Sequence, residues 1–193
     1  MRPLIISIFL LISFQTIAQH KFIFSSQNYI GLLEGERGSA FQLQTVNGTK
    51  YHSWFTGVGT GIDWYYRRSI PLFLSIEKHF IKNGARNFYL TANSGVNFPW
   101  KSNNNYNEFG YSVQSTPAGF YGEGGLGYKI GLGKKNDALL LQSSYTFKHI
   151  RENVKNIIYY YPDNLIPGPL QTNTKNHLDY YLQRWAFKIG WSF

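Results

Sequence analysis

Residues 178–193 read LDYYLQRWAFKIGWSF, and the reading of this stretch decides the fold. Counted back from Phe193, Trp191, Ile189, Phe187 and Trp185 share one face, while Ser192, Gly190, Lys188, Ala186 and Arg184 share the other. A period of two belongs to an extended strand. A soluble sheet would bury the apolar face in a core; a transmembrane barrel would turn it to lipid and the polar face inward. The rest of the chain has to separate the two.

Working outward, the same alternation recurs. Near residues 138–148, Leu139, Leu141, Tyr145 and Phe147 oppose Gln142, Ser144, Thr146 and Lys148; before them Leu126, Tyr128, Ile130 and Leu132 oppose Tyr121, Glu123, Gly125, Gly127 and Lys129. Residues 87–98 set Phe88, Leu90, Ala92, Val96 and Phe98 against Tyr89, Thr91, Asn93 and Asn97. Residues 70–80 set Ile70, Leu72, Leu74, Ile76 and Phe80 against Ser75, Glu77 and His79. Further back, Trp54, Val58, Ile62 and Trp64 oppose Gly57, Gly59, Gly61 and Asp63, and Phe41, Leu43 and Thr45 oppose Gln42 and Gln44. A first strand falls near residues 28–34, with its facing undecided because Ile30, Gly31, Leu32 and Leu33 do not alternate cleanly.

These make eight strands. Asn47-Gly48 and Asn83-Gly84 carry the chemistry of two-residue hairpin turns, and residues 133–137 form another short polar turn. Long polar or proline-broken segments at about 99–117 and 150–177 fall only at odd-numbered connections, with Pro162, Pro167 and Pro169 breaking the second. Short turns on one side and long loops on the other are the habit of outer-membrane barrels. The outward aromatics fall into two girdles: Trp54, Phe80, Phe88, Trp191 and Phe193 at the inner rim, and Trp64, Phe98, Phe120, Phe147 and Tyr181 at the outer. The expected fold is therefore all-β, an eight-stranded antiparallel up-and-down transmembrane β-barrel.

Composition agrees. The 193 residues are 18% aromatic but only 43% hydrophobic and hold no cysteine, which excludes a disulfide framework and thiolate metal sites. Residues 1–18 have the parts of a cleavable signal peptide: Arg2 as a positive n-region, an apolar run from Leu4 to Phe14, and the small-residue exit Thr16-Ile17-Ala18. The expected organisation is thus a signal peptide followed by a barrel over 19–193. Without Arg2 the chain keeps 18 basic against 10 acidic residues. Scattered basic charge on an exported chain points to anionic outer-membrane lipid as partner, and the basic residues do not interleave with aromatics as a nucleic-acid surface requires.

The signal peptide, alternating strands, long odd-numbered loops and Phe193 together resemble the small outer-membrane β-barrel proteins of Gram-negative bacteria, the OmpX and OmpA-barrel type. The resemblance covers the mature chain and lies in architecture, not in a catalytic motif. It implies location in the outer membrane and recognition of Trp191, Ser192 and Phe193 by the barrel-assembly machinery. It also implies a weighing of enzymes, since lipid A deacylases and acyltransferases occur among such barrels.

Inside, Asp63, Glu77 and Glu123 face Lys129, Lys148, Arg184 and Lys188. Buried charges require partners, and Glu123 with Lys148 is the pair expected across one hairpin. An eight-stranded barrel holds little more than its own side chains, so a plugged lumen is expected and a narrow proton or ion path is the alternative. At the outer rim His149 and Asp179 can orient one another, but Phe147 and Arg151 occupy the positions where a deacylase's serine would stand. His20, His52, His79, His149 and His177 are dispersed, and GVGTG (residues 57–61) lies within a strand with no helix after it; no metal or cofactor site is expected. Ile157, Ile158, Tyr159, Tyr160 and Tyr161 form either a partner-binding patch or the continuation of two strands beyond the membrane. The functional expectation is a non-enzymatic structural or surface-interaction protein. The alternatives are an accessory subunit of an outer-membrane export or uptake complex with a protein partner, a lipid A-modifying enzyme, and a soluble lipocalin-type barrel.

Overall fold

The computed structural model describes residues 22–83, 85–100, 111–133, 137–160 and 170–193. Among these residues nine strands appear in chain order: β1 (Ile23–Gly35), β2 (Gly38–Tyr51), β3 (Trp54–Asp63), β4 (Ser69–Asn83), β5 (Arg86–Pro99), β6 (Tyr111–Ser115), β7 (Gly119–Gly131), β8 (Ala138–Tyr160) and β9 (Leu170–Ser192). All strand pairings are antiparallel. Leaving out β6, each strand pairs with the next along the chain, and β9 returns to pair with β1 from Gln27↔Ser192 to Gly35↔Arg184. Backbone bonds between Ser26 and Phe193 in both directions, at 2.9 and 3.0 Å, finish that seam. The result is a closed eight-stranded barrel, which leaves no sheet edge within the wall.

Burial is inverted relative to a soluble domain. Outward Ile30, Leu74 and Ile189 are 64, 64 and 62% exposed, whereas inward Arg184, Lys188 and Glu123 are 1, 3 and 5% exposed. A continuous belt of exposed Leu, Ile, Val, Phe and Trp around a charged interior far exceeds the apolar patches tolerated in water. It matches a wall that faces hydrocarbon. β1 falls into line, with Ile30 and Leu32 outward and Tyr29 and Leu33 buried inward.

Three features depart from the sequence reading. Asn47-Gly48 is not a turn: β2 runs straight through it, with Asn47 opposite Val58 and Gly48 opposite Gly57. The chain turns at His52-Ser53, where His52 has φ of 53°. The β1–β2 ladder continues to Ile23↔Lys50 and carries the strand past the dipeptide, while Gly48 is needed for close packing, since a Cβ there would overlap the Thr56 carbonyl. Second, the stretch 150–177 is not wholly irregular. β8 and β9 remain in unbroken register up to Tyr160↔Leu170, since every proline of the segment falls between the two strands and their flanks are rich in strand-forming Ile, Val, Thr and Tyr. Third, the polar segment 99–117 contains β6, which pairs with β8 from Tyr111↔Asn156 to Ser115↔Asn153. The signal-peptide reading, Gly84 and Tyr161 lie outside the described residues.

The β8 and β9 strands have 23 residues each. A tilted transmembrane strand needs about 9–11. Roughly half of this hairpin, with β6 beside it, therefore stands beyond the membrane-spanning wall.

Candidate functional site

The interior is built from layers of inward side chains. Next to the inner mouth, Gln27 donates to Glu77 at 3.0 Å, and His79 Nε2 lies 3.3 Å from the same carboxylate. Lys129 stands half-buried beside Lys50 at this mouth. Above, the Tyr29 hydroxyl donates to Gln27 at 2.8 Å and touches that of Tyr89 at 3.4 Å. Glu123 then gathers donors: Tyr121 (2.6 Å), Gln142 (2.8 Å), Ser144 (2.8 Å) and the Lys188 ammonium, which also bonds Gln44. This carboxylate is both paired and hydrogen-bonded, the condition under which a buried charge is tolerated.

Nearer the outer mouth a second charge cluster centres on Asp63. Lys148 Nζ lies 3.1 Å from its Oδ2 and Arg184 Nη1 2.7 Å from the same oxygen, with all three side chains fully enclosed. The arginine contact is an ion pair at a poor hydrogen-bond angle, since neither Nη of Arg184 has an aligned acceptor. Arg184 Nε donates to Thr146 at 2.8 Å, and Lys148 also donates to the Tyr65 carbonyl (3.0 Å) and the Ser69 hydroxyl (3.1 Å). The expected contact between Glu123 and Lys148 is therefore not made. The register sets Lys148 opposite Tyr121 and Glu123 opposite Thr146; Lys148 then looks across the lumen to Asp63 on β3, and Glu123 looks past β8 to Lys188 on β9. Leu33, Tyr65, Ile150, Leu182 and Ala186 pack as an apolar layer over this cluster, and an ion pair of Arg67 with Glu152 at 3.1 Å lies beyond it.

Glycines fit the large rings inside. A Cβ at Gly59 would overlap Phe73, one at Gly127 would overlap Tyr89, and one at Gly190 would overlap Tyr29. Rings folded over bare backbone fill a narrow lumen from several strands at once. This fit was within reach of the sequence, where Gly59 and Gly127 already lay on inward faces; what the sequence lacked was the identity of each ring's partner.

On the outer surface, Trp54, Trp64, Phe88, Phe98, Phe120, Tyr181, Trp191 and Phe193 are exposed, and Phe80 and Phe147 are half-buried on the same face. Aromatic contacts run Phe120–Phe147–Tyr181 along the outer rim, at 5.9 and 6.2 Å between centroids. Lys78 sits over Trp54 at 4.3 Å at the inner rim and Arg68 over Trp100 at 5.2 Å at the outer. Ser192 is fully buried between Trp191 and Phe193, which point out. Depressions of about 940 and 770 Å³ lie between lipid-facing side chains on this outer surface, where acyl chains would fill them.

At the outer rim His149 Nε2 and Arg151 Nε both reach Asp179 Oδ1, each at 2.8 Å. These bonds, that of Arg151 first, hold the Asp179 carboxyl below its ordinary range. The His149 ring stacks on Tyr181 at 4.9 Å, and its Nδ1 lies against Gly119. Among the described residues no serine hydroxyl bonds to this histidine, and no cluster of His, Asp and Glu is arranged to hold a metal. Ile157, Ile158, Tyr159 and Tyr160 lie within β8 opposite Asn173, Thr172, Gln171 and Leu170.

A closed eight-stranded wall, apolar outside and polar within, defines a small transmembrane β-barrel of the outer-membrane type. No protein-family model and no curated protein matches the sequence. The likeness is structural: Neisserial surface protein A (NspA) aligns with a TM-score of 0.53 and 12% identity, over 89% of this chain and 95% of that one. The outer membrane protein OprG from Pseudomonas aeruginosa (TM-score 0.48, 13% identity, 90 and 96% covered) and the outer membrane protein AlkL (0.45, 10%, 91 and 90%) resemble it more loosely. The chain thus has the fold of the small outer-membrane barrels, the OmpX and OmpA type among them.

Proposed function

We propose that this protein is a sealed, non-enzymatic barrel of the Gram-negative outer membrane, acting through the β6–β8–β9 extension in a structural or surface-interaction role. The observation that carries the reading is the contrast between the two ends of β8 and β9. Within the wall their inward residues join a lumen packed with charge pairs and rings, whereas beyond it they raise a three-stranded sheet above the membrane. A barrel filled at several levels by its own side chains has little room for a solute.

The accessory-subunit reading has one observation of its own. β1 stops pairing with β9 at Gly35↔Arg184, so the β9 edge from Gln183 to Leu170 has no β1 neighbour, and exposed edges accept partner strands. The enzyme reading is disfavoured at His149: Asp179 orients the ring as a triad would need, but among the described residues no serine hydroxyl is bonded to it, and its outward neighbours along β8 are Phe147 and Arg151.

Planar-bilayer recording of the refolded barrel tests the sealed reading. It predicts no steady unitary conductance, and a stable open channel would refute it. Purification in mild detergent without a stoichiometric partner, together with unchanged lipid A acyl chains in cells lacking the protein, is the outcome expected against the two alternatives.

A further inference from the structure

The β8–β9 register is unbroken from Ala138↔Ser192 to Tyr160↔Leu170, so one face of the hairpin points outward along its whole length. Down to the inner rim that face is apolar and aromatic apart from Ser143 and from Gln183, which accepts from the Tyr145 hydroxyl. Above Phe147 and Tyr181 it becomes a polar column of the pairs Arg151↔Asp179, Asn153↔His177 and Lys155↔Lys175, with His149 beside Tyr181 at its foot.

Charge in this column is unbalanced. Asp179 is its one carboxylate, and its described contacts with His149 and Arg151 both fall on Oδ1. Arg151 reaches Asp179 only through its Nε, its two terminal nitrogens bond no other described residue, and its side chain is 49% exposed. Lys155 and Lys175 stand directly opposite one another, an arrangement that repels unless an anion lies between them. On its other side Lys155 is paired with Ser112 of β6, and among the described residues no carboxylate meets either lysine.

Height narrows the ligand. At ~3.3 Å per residue and a tilt of ~45°, Arg151 stands roughly 9 Å and the Lys155–Lys175 pair roughly 19 Å above Phe147. The headgroup layer of an ordinary bilayer is only about 5–8 Å thick. A simple phospholipid therefore reaches Arg151 and falls short of the lysines. A lipid whose phosphates are carried on stacked sugars spans both.

We propose that this column is a binding site for the phosphate groups of a phosphorylated glycolipid in the surrounding leaflet, Arg151 taking the phosphate nearest the acyl chains and Lys155 with Lys175 clamping one farther out. The site rests on the reading of the chain as an outer-membrane barrel.

The test uses the full barrel refolded in nanodiscs, the triple variant R151Q/K155Q/K175Q, and the double variant K155Q/K175Q. The probes are lipopolysaccharide with a phosphorylated core, the same material enzymatically dephosphorylated, phosphatidylglycerol vesicles, and inorganic phosphate as competitor. Tightest binding to the phosphorylated glycolipid is expected, weakened at least tenfold in the triple variant and falling between about 50 and 500 mM salt as exposed charge contacts do. The double variant should lose the preference for core phosphate. Equal binding by triple variant and wild type, indifference to dephosphorylation, equal affinity for phosphatidylglycerol, or full competition by millimolar inorganic phosphate would each overturn the assignment. Heat-modifiable gel mobility of the same preparation is read separately: wild type that unfolds in mild detergent without boiling would refute the barrel reading itself.

Discussion

Replacing Asp63 by asparagine probes the buried charge cluster directly. Asp63 is one carboxylate facing two cations, Lys148 at 3.1 Å and Arg184 at 2.7 Å, with every side chain of the trio fully enclosed. Asp63→Asn keeps the shape and the Oδ1 that accepts from the Tyr65 amide at 2.8 Å. It leaves two buried positive charges with no counter-charge. Breaking a buried ion pair from one side costs about 3–5 kcal/mol. With a urea slope of ~2 kcal/mol/M the unfolding midpoint should fall by about 2 M. Lys148→Met ought to be much milder, because it leaves Asp63 and Arg184 as a neutral pair. Converting all three to apolar residues of similar volume (D63L/K148M/R184M) should recover most of the loss, as replacement of a whole buried ion cluster often does. The assay is equilibrium urea unfolding in lipid vesicles followed by tryptophan fluorescence, with heat-modifiable mobility confirming that each variant folds. The reasoning is refuted if D63N unfolds within ~0.5 kcal/mol of wild type, or if K148M is the more damaging substitution; additive effects in the triple variant would show that the trio is not one electrostatic unit.

Two further outcomes follow from the packing. Gly127→Ala forces a methyl group into the Tyr89 ring, an overpacking expected to destabilise by about 1–3 kcal/mol, and Tyr89→Leu in the same chain should relieve it; a neutral G127A in the unfolding assay would deny the ring-over-glycine fit. The first inner turn separates Asn47 from His52: N47V places a β-branched residue at an exposed mid-strand site and should change stability by less than ~0.5 kcal/mol, whereas H52V forces one into the left-handed region and should lose about 1–2 kcal/mol. Reversal of that order would return the turn to Asn47-Gly48.

How much was legible in the chain depends on the range of the physics involved. Alternation is a property of neighbouring residues, so the division of Trp185, Phe187, Ile189, Trp191 and Phe193 from Arg184 and Lys188 can be read from residues 178–193 alone, while which face meets lipid needed the turns and girdles of the whole chain. The inward places of Asp63, Glu77, Glu123 and Lys148 follow from the same two-residue period. Turn chemistry is local too, yet it misplaced one hairpin: a positive φ at Gly48 was available, but the β1–β2 and β2–β3 ladders gain more pairs by running on to Lys50 and Tyr51 and turning at His52. Which charge meets which was beyond the sequence. Lys148 and Asp63, 85 residues apart, meet because closure brings β3 across the lumen from β8; Lys188 and Glu123, 65 apart, meet because strand stagger sets β9 and β7 level on either side of β8. The same holds for the column above the outer rim. Its basic residues are visible singly in the sequence, but only the unbroken β8–β9 register, carried past the membrane by tertiary pairing, sets Lys155 against Lys175 on one outward face.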